Sequence, residues 1–354
     1  MKHNGIEPHN KWIAFLTVIL GVALVLAFAI AVTLSLDDHE GQNDRGVNIT
    51  LRFEANGGSG SGPVTSTHFS EDTPKAPKNT FTRRGYTFIG WSSERDACTS
   101  YKFMTEPGEE LEFDDATPGE SFTYYAHWLK KGYSKGDSFA IRRGNTYYLY
   151  GSLHAGKADK VITFGKASDQ VLVGDWNADG TDTLAVRRGN RVYATNSSSG
   201  GKATKVFTFG KPNDTVQSGN WEGFSRSALA LRRGNTYEFT SELGGEIYQK
   251  SAFGKPTDQV YVGAWAPYDS DSLALRRGNT YYVTDSGEKT TRISFGRPTD
   301  TVLTGDWNGT NGSDDFAVRR GNTYYFYTPL HSGKADRVIT FGGPTDTILV
   351  GHWF

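Results

Sequence analysis

The tetrapeptide Arg-Arg-Gly-Asn occurs five times in this chain of 354 residues, beginning at Arg142, Arg187, Arg232, Arg276 and Arg319, in steps of 45, 45, 44 and 43. Self-similarity at such a period means one supersecondary unit copied along the chain. A single unit cannot bury its apolar face alone, so the copies must stack on one another. Two further signatures keep the same register. Phe-Gly recurs at Phe164, Phe209, Phe253, Phe295 and Phe341, and Gly-x-Trp recurs with its tryptophan at Trp176, Trp221, Trp265, Trp307 and Trp353.

Each copy supplies four short apolar runs, exemplified by TLAVRR, TYYLY, KVITFG and QVLVGDW. Their apolar residues alternate with period two, which is the pattern of strands and excludes a helical repeat. Gly-Asn between the first two runs is a two-residue hairpin signal, with glycine supplying the backbone conformation that other residues avoid. Four strands at a period of 40 to 45 residues are the mark of a propeller blade.

The ends of the array bear on closure. It opens with the first strand type, DSFAIRRG, and stops after the last, TILVGHWF, although these two runs are consecutive inside VLVGDWNADGTDTLAVRRG. If the chain closes on itself, residues 347–354 lie beside residues 137–143 and complete one unit from both ends. Closure hides strand edges that an open array would expose, and the terminal copies show no polar cap. The expectation for residues 137–354 is therefore a five-bladed β-propeller closed by pairing of the C-terminal strand with the first repeat strand. The copies resemble the Trp- and Arg-rich repeat of the form GDWNGDGxDxLAVRRGNTYY, found at the ends of actinobacterial surface proteins and of some wall-lytic enzymes. They are distantly similar to FG-GAP-type propellers.

A second constraint lies at the other end. Residues 12–36, WIAFLTVILGVALVLAFAIAVTLSL, are 25 positions without a charge, and about 20 suffice for a helix to cross the hydrocarbon core. Lys2 and Lys11 precede this run, while Asp37, Asp38 and Glu40 follow it. That asymmetry places residues 1–11 in the cytoplasm and everything after Leu36 outside it. Small residues at Ala27, Ala29 and Ala31 also fit a cleaved secretory signal, although the run exceeds the usual signal core. Either way the remainder is exported: anchored by a transmembrane helix in the first case, secreted in the second.

Residues 37–46 read as a linker, and residues 47–128 as a compact module followed by a second linker at 129–136. ITLRFEA, YTFIGW and SFTYYAHW are its strands, and NGGSGSGP is a turn. ITLRFEANGG, RGYTFIGW and YAHW, in that order, resemble the internalin-type B repeat, also called the Listeria-Bacteroides repeat. The resemblance implies a small β-grasp-like module of bacterial surface proteins. Trp91 and Trp128 read as its core, because aromatics dominate burial in so small a unit. Cys98, the single cysteine, excludes an internal disulfide and a cysteine-based zinc cluster.

Among candidate sites, Asp175, Asn177, Asp179 and Asp182 around Gly180 have the alternating oxygens of a calcium loop. The sister copies place Asn220, Ala264 and His352 where this loop has Asp175; only Asp306 keeps the acid. An uncharged turn is the competing reading. The second arginines, Arg143, Arg188, Arg233, Arg277 and Arg320, and the tryptophans Trp176, Trp221, Trp265, Trp307 and Trp353, occur in every copy. A residue required in every copy suits a repeated structural contact, with each arginine on an aromatic ring or on the aspartate recurring at 169, 214, 258, 300 and 346.

The formal net charge is −1 without a long run of either sign, so nucleic acid is not an expected partner. No HExxH, GxSxG or Walker loop is present. The functional expectation is a non-catalytic envelope protein that binds or adheres to a glycan, wall polymer or protein. A structural partner of another envelope protein and a glycan-active enzyme are the alternatives.

Overall fold

The computed structural model describes residues 47–69, 73–95, 104–111, 116–223, 226–266, 270–284, 290–309 and 312–354. The expected membrane segment at 12–36 and Cys98 lie outside these residues. Among the described residues no helix is long and apolar enough to cross a membrane. Every described element is a strand, and the strands form six four-stranded sheets.

The module forms a sheet of its own, apart from the five numbered sheets of the repeats. It contains β1 (Val47–Glu54), β2 (Val64–Phe69), β3 (Tyr86–Ser92) and β4 (Ser121–Lys130) in the order β2-β1-β4-β3. β1 and β4 are parallel and both flanking pairs antiparallel. The sequence pattern points to β1, β3 and β4 but not to β2, whose run VTSTHF is polar. An edge strand is free of the period-two burial that marks an inner one. Trp91 is fully buried and Trp128 nearly so (7% exposed). Their indole N–H groups donate to the carbonyls of Pro77 and Ala55.

The repeats begin with β5 (Ser138–Arg143), β6 (Thr146–Leu149) and β7 (Lys160–Thr163). β8 (Gln170–Gly174), β9 (Thr183–Arg188), β10 (Arg191–Ala194) and β11 (Lys205–Thr208) form sheet 2. Sheet 3 holds β12 (Thr215–Gly219), β13 (Ala228–Arg233), β14 (Thr236–Thr240) and β15 (Ile247–Ala252). In sheet 4 are β16 (Gln259–Gly263), β17 (Ser272–Arg277), β18 (Thr280–Thr284) and β19 (Thr290–Ser294). β20 (Thr301–Gly305), β21 (Asp315–Arg320), β22 (Thr323–Tyr327) and β23 (Arg337–Thr340) make sheet 5. Each sheet is an antiparallel meander.

The remaining strand is β24 (Thr347–Gly351). It pairs antiparallel with β5, matching Thr347 to Arg142 and Gly351 to Ser138, and so completes sheet 1 from the two ends of the array. The strands β8, β12, β16, β20 and β24 lie next to one another in that order, and β24 returns to β8. They surround a cavity of about 410 Å³ lined by residues such as Gln170, Gln217, Tyr261 and Leu303.

Glycine is needed at two places in every copy. In the hairpin after the arginine pair, Gly144, Gly189, Gly234, Gly278 and Gly321 have φ between 60° and 66°. The following asparagines do not have positive φ, which fits turns that place glycine first. At the end of each innermost strand the chain passes too close to the next sheet for a side chain. A Cβ on Gly219, for example, would sit 2.8 Å from Val262 and 3.0 Å from the Asp271 carboxylate.

Candidate functional site

The two arginines of each copy do different work. The second forms a two-pronged ion pair with the aspartate that precedes its own sheet's innermost strand: Arg188 Nε and Nη2 donate to Asp169 Oδ1 and Oδ2 at 2.8 and 2.7 Å. Arg143 on Asp346, Arg233 on Asp214, Arg277 on Asp258 and Arg320 on Asp300 repeat that geometry. Four of these guanidiniums also lie over a tyrosine ring, at Tyr148, Tyr193, Tyr282 and Tyr325. In the remaining copy, sheet 3, Glu238 replaces the ring and pairs with Arg233.

The first arginine of each pair reaches the backbone of the turn leading to the next sheet. Arg142 donates to the carbonyls of Lys166, Ala167 and Asp169, and Arg276 to those of Arg297, Pro298 and Asp300. Each connecting turn is therefore held on its carbonyls by the sheet it leaves and on its carboxylate by the sheet it enters. At Asp214, Asp258 and Asp346 the arginine bond holds the carboxyl below its usual range against the opposing effect of burial. At Asp169 and Asp300 burial is the larger single effect, but the arginine and turn N–H bonds together still leave the carboxyl lowered.

The tryptophans pack toward the neighbouring sheet. Trp265 stacks on Phe316 and Trp307 meets Phe139 edge-on. Trp176, Trp265, Trp307 and Trp353 are 6, 9, 5 and 3% exposed. Trp221 is only half-buried.

The candidate calcium loop divides into two unrelated parts. Asp175 accepts the backbone N–H groups of Asn177, Asp179 and Gly180, the last at 2.6 Å from Oδ2. Asn177 donates to Asp179. Asp182 turns away and accepts the N–H of His352 at 2.9 Å. Backbone protons thus point at the Asp175 oxygens where a cation would sit, and the fourth residue of the set, Asp182, is engaged elsewhere. This donor set does not fit a hard cation, which needs several converging oxygens. Among the described residues no cluster of three or more histidine, cysteine or acidic side chains could hold a metal ion.

Asp182 belongs instead to a second constellation. Asp137, Asp182, Ser227, Asp271 and Asp314 each stand five residues before the first arginine of a pair. Each side chain accepts the N–H of the middle residue of a Gly-x-Trp in an adjoining sheet, namely Asp306, His352, Asp175, Asn220 and Ala264. Each returns its own N–H to that residue's carbonyl. The five double links join sheet 5 to 1, 1 to 2, 2 to 3, 3 to 4 and 4 to 5, a complete cycle. The constant offset from Arg-Arg-Gly-Asn was a usable sequence signal.

Four of these five links use carboxylates, and three of these are pushed up by burial. Burial, with Asp182 and Asp306 nearby, pushes Asp137 well above the usual carboxylate range; burial with Asp271 and Asp137 does the same to Asp314. Burial raises Asp182 to about 7, against the bond from His352. Burial also holds His352 down, at about 4. Asp182, Ser227 and Asp271 border the axial cavity.

The described fold thus defines an all-β protein of repeated four-stranded sheets. Residues 50–127 match the Listeria-Bacteroides repeat domain family. No curated protein matches the chain. A solved structure, described as the crystal structure of BBS1N in complex with ARL6DN, soaked with lead, is similar at 14% identity and a TM-score of 0.30. The alignment covers 48% of this chain and 56% of that one.

Proposed function

We propose that residues 137–354 form a five-bladed β-propeller, and that the protein is a non-catalytic binding module of the bacterial cell envelope, held by the apolar segment at 12–36 and recognising a glycan or wall polymer. The observation that carries this reading is the use of the repeated residues. All five Arg-Asp pairs and all five double links between sheets are absorbed by the scaffold, and four of the five tryptophans are buried in it. Specificity then falls to positions that differ between copies, as is usual for loops and pockets on a rigid β framework. The Listeria-Bacteroides match over residues 50–127 supports a bacterial surface setting.

Docking onto another envelope protein is a second reading. It is favoured by apolar side chains on the outermost strands, where Val161 and Val338 are 54 and 55% exposed. The two readings separate when the full chain, in a detergent without a sugar headgroup, is passed over immobilised wall polymers and mixed with envelope extract. Saturable retention on a polymer supports the first. Recovery of one membrane protein with no retention on polymer replaces it with the second, and hydrolysis of the polymer overturns the non-catalytic reading.

A further inference from the structure

One junction between sheets departs from the others. Opposite the second residue of the second repeat strand, four sheets place a large apolar side chain: Ile162 faces Tyr147, Phe207 faces Val192, Ile293 faces Tyr281 and Ile339 faces Tyr324. Ile162 and Ile293 are both 7% exposed, and Phe207 and Ile339 pack against buried clusters. In sheet 3 the residue facing Tyr237 is Ser251.

Other junctions carry a second filler. Leu243 of sheet 3 packs against the Phe207 and Phe209 side of sheet 2, and Leu153 and Leu330 fill the corresponding space at two other junctions. The corresponding segment of sheet 4, residues 285–289, lies outside the described residues.

Between sheets 3 and 4 lies a cavity of about 310 Å³. Its walls include the rings of Trp221, Phe239 and Phe253 and the polar side chains of Gln249, Ser251 and Asp271. Trp221 is the repeated tryptophan that its neighbours leave half-buried. Lysine and arginine are absent from the described lining, so nothing there favours an anion. The volume sits at the lower end of the range for small-molecule sites, which runs from about 300 to 1,000 Å³, and suits one ring better than a chain. Flat aromatic surface beside hydroxyl, amide and carboxylate groups matches a ligand with one C–H face and a rim of hydroxyls.

We propose that the cavity between sheets 3 and 4 binds a single neutral pyranose ring, with Trp221 as the surface it packs on and Gln249 and Ser251 as hydrogen-bonding partners. This inference rests on the glycan-binding reading and assigns it a place. Ser251 is the determinant, because an isoleucine there would fill the space as it does in three other sheets.

The test titrates the full chain, in a detergent without a sugar headgroup, with the methyl glycosides of glucose, galactose, mannose and N-acetylglucosamine by calorimetry and saturation-transfer NMR. Methyl glucuronide is the charged control. At least one neutral glycoside is expected to bind, and Ser251→Ile to weaken it at least about tenfold while melting at the same temperature or higher. Gln249→Leu, on the exposed outer strand, is expected to weaken it without loss of folding. Absence of binding by the unaltered chain, equal binding by Ser251→Ile, or preference for the glucuronide would each overturn the proposal. If Ser251→Ile still retains wall polymer, this cavity is not the site and the binding function stands. If the unaltered chain retains no polymer, that function fails as well.

Discussion

Asp182 and His352, 170 residues apart in sequence, exchange two hydrogen bonds: the Asp182 carboxylate accepts the His352 N–H at 2.9 Å, and the His352 carbonyl accepts the Asp182 N–H at 2.7 Å. With the pairing of β24 on β5, this contact ties the end of the chain to the start of the second repeat. Neither bond is available to an array that stays open.

Asp182→Ala leaves a buried N–H without its acceptor, at a cost of about 1–3 kcal/mol, and is expected to lower the urea midpoint. Asp182→Asn keeps an oxygen for the same N–H while removing a charge from the acidic group around Asp137 and Asp271. It should be stabilising at pH 8, less so at pH 5, and close to neutral only below the ordinary carboxylate range. An asparagine variant as weak as the alanine variant at pH 8 would show that the charge, rather than the acceptor, matters.

The acid links also set a pH dependence. Asp182 and Asp315 are raised to about 7 and Asp175 and Asp306 to about 6, all chiefly by burial, and Asp137 and Asp314 lie well above the usual value. The native state holds these protons more tightly than the unfolded chain. Their contribution is complete below the unfolded value and is lost as pH rises through the folded ones. His352, lowered to about 4, works in the opposite sense between its ordinary value and that one, but it is one group against six. Melting temperature is expected to fall from pH 5 to pH 8 at constant ionic strength; a rise over that interval would contradict the raised, buried acids.

Arg320→Ala leaves Asp300, whose side chain is 2% exposed, without its two-pronged partner. Allowing for the partial exposure of the arginine, the expected loss is about 1–2 kcal/mol, or roughly 2–8 °C in melting temperature. Arg320→Lys keeps the charge but not the fork and is expected to fall between the alanine variant and the unaltered chain. Equal melting of lysine variant and unaltered chain would reduce the contact to simple charge attraction.

Calcium and a chelator should leave the melting temperature unchanged, because backbone N–H groups already occupy the oxygens of Asp175. Asp175→Ala, which orphans those donors, is expected to cost about 1–3 kcal/mol with or without calcium. A calcium-dependent rise in melting temperature that Asp175→Ala removes would restore the cation reading.

Much of the architecture was legible in the residues. The Arg-Arg-Gly-Asn period predicts four strands per copy, and the order of strand types at the two ends predicts the partner of β24. The module's strands β1, β3 and β4 follow from alternation, whereas β2 escaped because an edge strand needs no apolar face. The candidate metal loop could not be read from sequence alone, because alternating Asp and Asn oxygens suit a cation and a self-capped turn equally well, and only the directions of the N–H groups separate them.

What the sequence determined by itself is the repeated unit, since hairpin glycines, alternating apolar residues and paired arginines act within one copy or between consecutive copies. Which aspartate meets which backbone group, and which tryptophan stays uncovered, was decided by tertiary structure. Ser251 shows the reason. Read along the chain it is one polar residue in an outer strand. It becomes the opening of a cavity only because folding sets it opposite Tyr237, at the junction with sheet 4, in a place where other sheets supply an isoleucine or phenylalanine.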